Sequence, residues 1–144
     1  MKKTFLLDVN VLLAIVHSGH AHHRIALHWF DQVESESCFV CRLTQMGLLR
    51  LITNRAVMGE NVLTLGAAWA VFEQLMSDER ILFTSEPEGI EACWRQWTSG
   101  MTYAHRIWND AYLAAFAFTG EFEFVTLDHG FRAYPGLKLT IIAN

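Results

Sequence analysis

An aspartate inside an apolar run constrains this chain more than any other feature of its sequence. The segment Phe5–Ile15 reads FLLDVNVLLAI, so Asp8 and Asn10 interrupt an otherwise hydrophobic stretch. A secretory signal needs an uninterrupted apolar core, and a membrane span needs about 20 mostly apolar residues. The segment is instead typical of a buried parallel strand, Thr4–Leu7, that delivers Asp8 before a helix over Val9–His17. We therefore expect a cytoplasmic protein.

Short apolar runs alternate with helical periodicity along the rest of the chain. The predicted strands are Thr4–Leu7, Cys38–Cys41, Arg80–Phe83, Phe122–Thr126 and Leu139–Ile142. The predicted helices after the first one are Arg24–Val33, Thr44–Asn54, Asn61–Met76, Glu88–Trp97 and Asn109–Thr119. Because strands that alternate with helices form βαβ units, this order predicts an α/β fold with a parallel sheet under helices. The length of 144 residues suits a single domain over residues 1–144.

Charge and cysteine content argue against two classes of protein. The chain has 11 Lys and Arg against 15 Asp and Glu, a net charge of −4, and no basic run that would mark a stand-alone nucleic-acid binder. Its three cysteines are an odd number, which argues against a disulfide framework. Cys38 and Cys41 have the spacing of a redox pair, but they lie in an apolar β-type run. We interpret them as buried apolar residues.

A group of histidines between the first two helices raises the alternative of a zinc site. Its members are His17, His20, His22, His23 and His28. Zinc sites need ligands that converge in space, but no Cys or carboxylate lies near these histidines, and Ser18-Gly19 indicates a loop. We interpret the group as a surface turn with a capping role.

Polar side chains follow the predicted strands at the edge where open α/β sheets bind ligands. They are Asp8 after the first strand, Thr44 and Gln45 after the second, Asn109 and Asp110 at a helix start, and Asp128 after the fourth strand. Carboxylates that are brought together raise one another's pKa unless a cation lies among them. Mg²⁺ and Mn²⁺ are hard ions that prefer such oxygen ligands. The pattern is therefore compatible with a metal site.

Each of these residues also has a structural explanation. Asn109 or Asp110 could cap a helix, Asp128 before His129-Gly130 could belong to a turn, and Gln45 could be an exposed first-turn residue. Asp8 is the hardest to explain in this way, because burying an unpaired carboxylate is costly.

Four segments carry a family resemblance when they are taken together. They are LLDVNVLLAI from Leu6, TQMGLLR from Thr44, WNDAYLAA from Trp108 and TLDHGF from Thr126. In this order and spacing they resemble the successive motifs of PIN-domain ribonucleases, and more narrowly those of the VapC-type toxins of bacterial toxin–antitoxin pairs. The resemblance runs from residue 4 to about residue 142.

The resemblance implies a PIN-like three-layer fold with a five-stranded parallel sheet in the order 3-2-1-4-5. It also implies Mg²⁺- or Mn²⁺-dependent endonuclease activity on RNA, with Asp8, Asp110 and Asp128 as the metal-binding and catalytic acids. Gln45 matches a catalytic position at which the family commonly has Glu, so the site has one negative charge fewer. The positions that would support the acids are Asn10, Thr44, Asn109 and Thr126.

The sequence therefore predicts an RNA endonuclease that acts as a toxin and is neutralised by a cognate antitoxin. A hydrophobic content of 52% is high for a soluble monomer and, with the resemblance, predicts a homodimer. The alternative function is a catalytically weak PIN module that binds RNA or a protein partner. Gln45 and the acidic net charge motivate that alternative.

Overall fold

A parallel sheet between two layers of helices forms the frame of the molecule. The computed structural model describes residues 2–102 and 104–142. Its strands are β1 (Phe5–Leu7), β2 (Cys38–Val40), β3 (Ile81–Phe83), β4 (Glu123–Thr126) and β5 (Leu139–Ile141). Its α-helices are α1 (Val9–Val16), α2 (His23–Phe30), α3 (Arg42–Ile52), α4 (Arg55–Met58), α5 (Leu65–Met76), α6 (Ile90–Ser99) and α7 (Ile107–Thr119). The strands pair in parallel in the order β3-β2-β1-β4-β5, so the predicted α/β fold and strand order are confirmed.

The central strand β1 is buried on both faces, which explains its uniformly apolar sequence. Phe5 and Leu7 pack in a core with residues of α1, α2, α3 and α5. Leu6 points to the opposite face and packs in a second core with residues of α6 and α7. This alternation along the strand produces the three-layer arrangement. Among the helices of the described residues, none is long and apolar enough to cross a membrane.

The ends of several elements differ from the sequence prediction. The largest difference concerns the helix predicted over Asn61–Met76, whose start was wrong. The chain first forms α4 and a 3₁₀ turn, Gly59–Asn61, and α5 begins only after Thr64. The Thr64 hydroxyl accepts a hydrogen bond from the backbone N–H of Ala67 at 3.1 Å and caps α5 there. The second strand also ends one residue early, because Cys41 is the N-cap of α3.

A glycine in α3 allows this helix to pack closely against the start of α1. A Cβ atom at Gly47 would lie 2.7 Å from Cγ2 of Val9. Val9 is β-branched and stiff at χ1, so it has little freedom to move away. Because Val9 directly follows Asp8, this contact sets how close α3 lies to the end of β1.

We expect Gly47→Ala to lower the free energy of unfolding by about 1–3 kcal/mol, because the added methyl group overpacks this contact. Gly66→Ala is the matched control, since a Cβ atom at this helical position has no neighbour within 4 Å. The control should be neutral or more stable by up to about 1 kcal/mol, because alanine favours helix more than glycine. Urea denaturation of both variants measures the difference. Equal stabilities would contradict the close contact.

Candidate active site

The carboxyl ends of β1 and β4 open into a cleft that α3 and α7 complete. The residues that line it are Asp8, Val9, Asn10, Leu43, Met46, Gly47, Arg50, Asn109, Asp110, Leu113 and Asp128. The structure thus brings the three predicted aspartates and two predicted asparagines, at positions 10 and 109, to one place. This is the edge at which open α/β sheets bind ligands.

Asp8 is the most buried carboxylate of the cleft, with 7% of its surface exposed. Its Oδ1 accepts a hydrogen bond from the backbone N–H of Val9 at 2.8 Å, so Asp8 is the N-cap of α1. Its Oδ2 accepts a hydrogen bond from the Thr126 hydroxyl at 2.6 Å. Burial raises the pKa of Asp8 to about 6, although these two hydrogen bonds lower it. The neighbouring charges of Asp110 and Asp128 raise the same pKa further.

Thr126, at the end of β4, connects two of the aspartates. It is fully buried, and its hydroxyl donates to Asp8 while accepting a hydrogen bond from the backbone N–H of Asp128 at 3.0 Å. Asp128 in turn accepts a hydrogen bond from the backbone N–H of Gly130 at 2.8 Å. Asp128 therefore stabilises the turn before Gly130, as its sequence context suggested, and it also lines the cleft.

Asp110 enters the cleft from the first turn of α7. The helix begins at Ile107, after the N-cap Arg106, two residues before the start predicted at Asn109. Neither Asn109 nor Asp110 therefore caps the helix. Burial raises the pKa of Asp110, and the charge of Asp128 raises it further. The positive end of the helix dipole partly compensates a carboxylate at this position.

Tyr134 was not identified from the sequence, but the negative charges of the cleft act on its hydroxyl. Its side chain is buried, and its hydroxyl has no hydrogen-bond partner among the described residues. Burial raises the pKa of Tyr134 to about 12, and the charges of Asp110 and Asp128 add to this effect. The aspartates therefore create a negative potential that extends beyond their own contacts.

Gln45 and Thr44 do not line the cleft. The Gln45 side chain is buried, and its Oε1 accepts a hydrogen bond from Nη1 of Arg42 at 2.5 Å. The Thr44 hydroxyl donates to the Cys41 carbonyl and accepts from the Cys41 backbone N–H, both at 3.0 Å, so Thr44 closes the first turn of α3. Gln45 is therefore not the exposed residue considered as an alternative. The catalytic role predicted for it has no support in its position.

Helical geometry explains which residues of α3 reach the cleft. Leu43, Met46, Gly47 and Arg50 have the spacing i, i+3, i+4 and i+7, which places them on one face of the helix. Gln45 lies off that face. Arg50 was not identified from the sequence, although this spacing could have identified it as a companion of Gly47.

The aspartates share the cleft without forming a tight cluster. Among residues 2–102 and 104–142, no three His, Cys, Asp or Glu side chains are grouped closely enough to hold one metal ion. Asn10 is exposed, and the two oxygens of Asp8 accept hydrogen bonds from Val9 and Thr126 rather than from Asn10. An ion at this edge would have to draw Asp110 and Asp128 towards Asp8.

The histidines and cysteines lie outside this cleft. The Nδ1 atom of His23 donates to the Ala14 carbonyl at 2.6 Å, and His20 Nδ1 accepts from the His22 backbone N–H at 3.0 Å. These contacts fit the predicted turn, since they join α1 to the start of α2. Cys38 and Cys41 are buried free thiols, and burial raises the pKa of Cys38 to about 11. Cys38 is thus a thiol at neutral pH, as expected for an apolar core residue.

Comparison with known proteins places the chain in a family. The model of the PIN domain matches residues 5–137. Ribonuclease VapC41 of Mycobacterium tuberculosis is 44% identical over 144 residues, which cover 96% of this chain and 99% of the relative. Among solved structures, VapBC-1 from nontypeable Haemophilus influenzae aligns with a TM-score of 0.69 at 14% identity, over 98% of this chain and 99% of that one.

A second solved structure has the same fold. VapBC2 from Rickettsia felis, bound to a DNA fragment from its promoter, aligns with a TM-score of 0.68 at 12% identity. The alignment covers 97% of this chain and 99% of that chain. At such low identity, both structural matches are evidence of fold alone. Together with the match to the PIN domain and the identity to VapC41, they support one conclusion: the chain belongs to the PIN domain family, and within it to the VapC proteins.

Proposed function

We propose that this protein is a metal-dependent RNA endonuclease that acts as the toxin of a toxin–antitoxin pair in the cytoplasm, as a single domain over residues 1–144. The observation that carries the proposal is the convergence of Asp8, Asp110 and Asp128 on one cleft at the carboxyl edge of the sheet. The relative VapC41 is named a ribonuclease, and the two similar structures are VapBC complexes. These relationships support RNA as the substrate and an antitoxin as the partner.

The donor set of the cleft fits a divalent metal ion. Asp8 is a buried carboxylate with a raised pKa, and Asp110 and Asp128 add to its electrostatic strain. Two positive charges among these oxygens would relieve that strain, and Mg²⁺ or Mn²⁺ prefers oxygen ligands. When bound, such an ion supplies a Lewis acid that stabilises the charge on a phosphate undergoing hydrolysis. We therefore propose Asp8, Asp110 and Asp128 as its ligands.

The other residues of the site keep these ligands in place. Thr126 orients the Asp8 carboxylate and, through the backbone of Asp128, holds the second strand end beside it. Val9 contributes its backbone N–H to the other oxygen of Asp8. The amides of Asn10 and Asn109 line the cleft, where they can donate hydrogen bonds to phosphate or ribose oxygens.

Exposed apolar residues on α3, α4 and α5 offer a surface for an antitoxin. They are Met46, Val57, Leu65 and Trp69, and we call this set the α3–α5 surface. Met46 belongs to the surface and also lines the cleft. An apolar antitoxin segment seated there would bring a cationic side chain, such as Arg, within reach of Asp8 and Asp110. It would thereby replace the charge of the metal ion and exclude RNA.

A different apolar surface, on the side of α6 and α7, suits a second copy of the chain. Trp108, Met101 and Phe118 are exposed there, and Trp108 packs edge-on against Trp94 with 6.0 Å between ring centroids. Large apolar patches on soluble proteins usually mark protein interfaces. We propose that this surface forms the homodimer.

A catalytically weak module that binds RNA or protein is the second candidate function. The observation in its favour is that α3 brings no carboxylate to the cleft, because the helix, RLTQMGLLRLI, contains neither Asp nor Glu. Metal-dependent cleavage of RNA by the purified protein would exclude this alternative.

We expect Asp8→Asn, Asp110→Asn and Asp128→Asn each to lower the rate of Mg²⁺- or Mn²⁺-dependent RNA cleavage by more than about 100-fold. Thr126→Val should lower it by about 10- to 100-fold, the usual loss when a residue that orients a metal ligand is replaced. Glu60→Gln, at an exposed acidic position outside the cleft, is the control. Cleavage of labelled RNA with and without EDTA measures these rates. Aspartate variants as active as Glu60→Gln would refute the site.

We expect the metal-free protein to become less stable as the pH rises from about 4 to above 6. The pKa of Asp8 is about 6 in the folded protein against an ordinary 3.8. The contribution of this group to the free energy of unfolding is therefore complete below pH 3.8 and is lost as the pH rises through 6. The loss amounts to about 3 kcal/mol, by the linkage of pKa shifts to folding. Asp8→Asn should remove this part of the pH dependence, and Mn²⁺ should reverse it in the original protein. Thermal unfolding across this pH range is the measurement, and identical pH profiles of both proteins would contradict it.

We expect the purified chain to have about twice its monomer mass of 16.4 kDa in light scattering. Trp108→Ser should shift it to the monomer mass, because it removes the largest apolar side chain of the proposed dimer surface. Trp69→Ser is the matched control, since it makes the same change on the α3–α5 surface and should leave a dimer. A monomer at high protein concentration would rule out the homodimer, and a dimeric Trp108→Ser variant would rule out this surface.

A further inference from the structure

Arg50 brings a positive charge into a cleft that is otherwise acidic. It lies in the last turn of α3, on the helix face that also carries Met46 and Gly47, and its side chain is exposed. The ion pairs found within 4.0 Å among the described residues do not include Arg50. The guanidinium therefore shares the cleft with three carboxylates without being bound to any of them in the part of the chain described.

Two simpler roles for Arg50 explain less of the structure. A cation in the last turn of a helix is favoured by the helix dipole, but that effect does not require a place in a cleft. A counter-ion for the aspartates would form an ion pair with one of them, and Arg50 forms none within 4.0 Å among the described residues. The guanidinium is thus available to a ligand.

We propose that Arg50 binds a phosphate group of the RNA strand and positions the strand against the acidic residues, an inference that rests on the proposed function. A guanidinium group can donate two parallel hydrogen bonds to phosphate oxygens, which fixes the orientation of the phosphate as well as attracting it.

The charge balance of the cleft supports this role. Asp8, Asp110 and Asp128 together with one divalent ion still leave a net negative charge, which would repel an RNA phosphate. Arg50 brings this balance to zero. Because the whole chain has a net charge of −4, a local cation matters more here than it would in a basic nuclease. Arg50 therefore allows a site with a single divalent ion to accept a phosphodiester.

The test compares Arg50→Gln and Arg50→Lys with Arg55→Gln, which removes the same charge at an exposed position outside the cleft. The substrate is a fluorescently labelled pool of single-stranded RNA of randomised sequence, cleaved in Mn²⁺. We expect Arg50→Gln to raise the apparent KM by about tenfold or more with a smaller change in kcat, because it removes a charge-assisted contact. The slope of log(kcat/KM) against log salt should become shallower by about 0.7, the value for one lost phosphate contact. Arg50→Lys should restore the salt slope, but it should bring the apparent KM only part of the way back to that of the original protein.

Mn²⁺ titration by calorimetry separates this role from that of a counter-ion. Binding of Mn²⁺ to Arg50→Gln should match that of the original protein within about twofold. A KM and salt slope equal to those of Arg55→Gln would overturn the inference, as would tighter Mn²⁺ binding with an unchanged KM. If the original protein does not cleave the RNA pool at all, the proposed function fails and this inference falls with it. If it does cleave and Arg50→Gln cleaves equally well, only the role of Arg50 fails.

Discussion

The burial of one carboxylate at the end of the central strand is the constraint on which the site depends. Asp8 can remain there because its two oxygens accept hydrogen bonds from Val9 and Thr126, at 2.8 and 2.6 Å. The first bond starts α1, and the second joins β1 to β4 across 118 positions of sequence. The same hydrogen bonds that make the carboxylate tolerable therefore also fix the helix and the strand that form the floor of the cleft.

Much of this arrangement could be predicted from the sequence, because a few rules fix it. The uniformly apolar β1 indicates a strand that is buried on both faces, and the alternation of strands and helices indicates a parallel sheet. The carboxyl edge of such a sheet then gathers Asp8 and Asp128 without any knowledge of side-chain contacts. Helix ends were harder to predict, because the apolar residues Val62 and Leu63 extend the pattern of α5 beyond its cap at Thr64.

Gln45 shows where the sequence stops being informative. The order of the motifs placed it in the site, but the side of a helix that faces a cleft depends on how the helix is rotated about its axis. The close approach of Gly47 to Val9 is a contact that fixes this rotation, because it joins α3 to the start of α1. The resulting orientation brings Arg50 to the cleft and leaves Gln45 off the face that lines it. A position within a motif therefore predicts which helix reaches the cleft, but not which of its faces lines it.

The bare backbone at Gly47 also limits how this site can diversify. Any side chain there would collide with Val9, so this part of the α3 wall cannot acquire a new functional group by a single substitution. New substrate preferences must instead arise at Leu43, Met46 and Arg50, the α3 residues that line the cleft beside it. Met46 also belongs to the surface proposed for the antitoxin. A substitution of Met46 that changed the preferred RNA would therefore also alter binding of the antitoxin. The enzyme and its inhibitor would then have to evolve together.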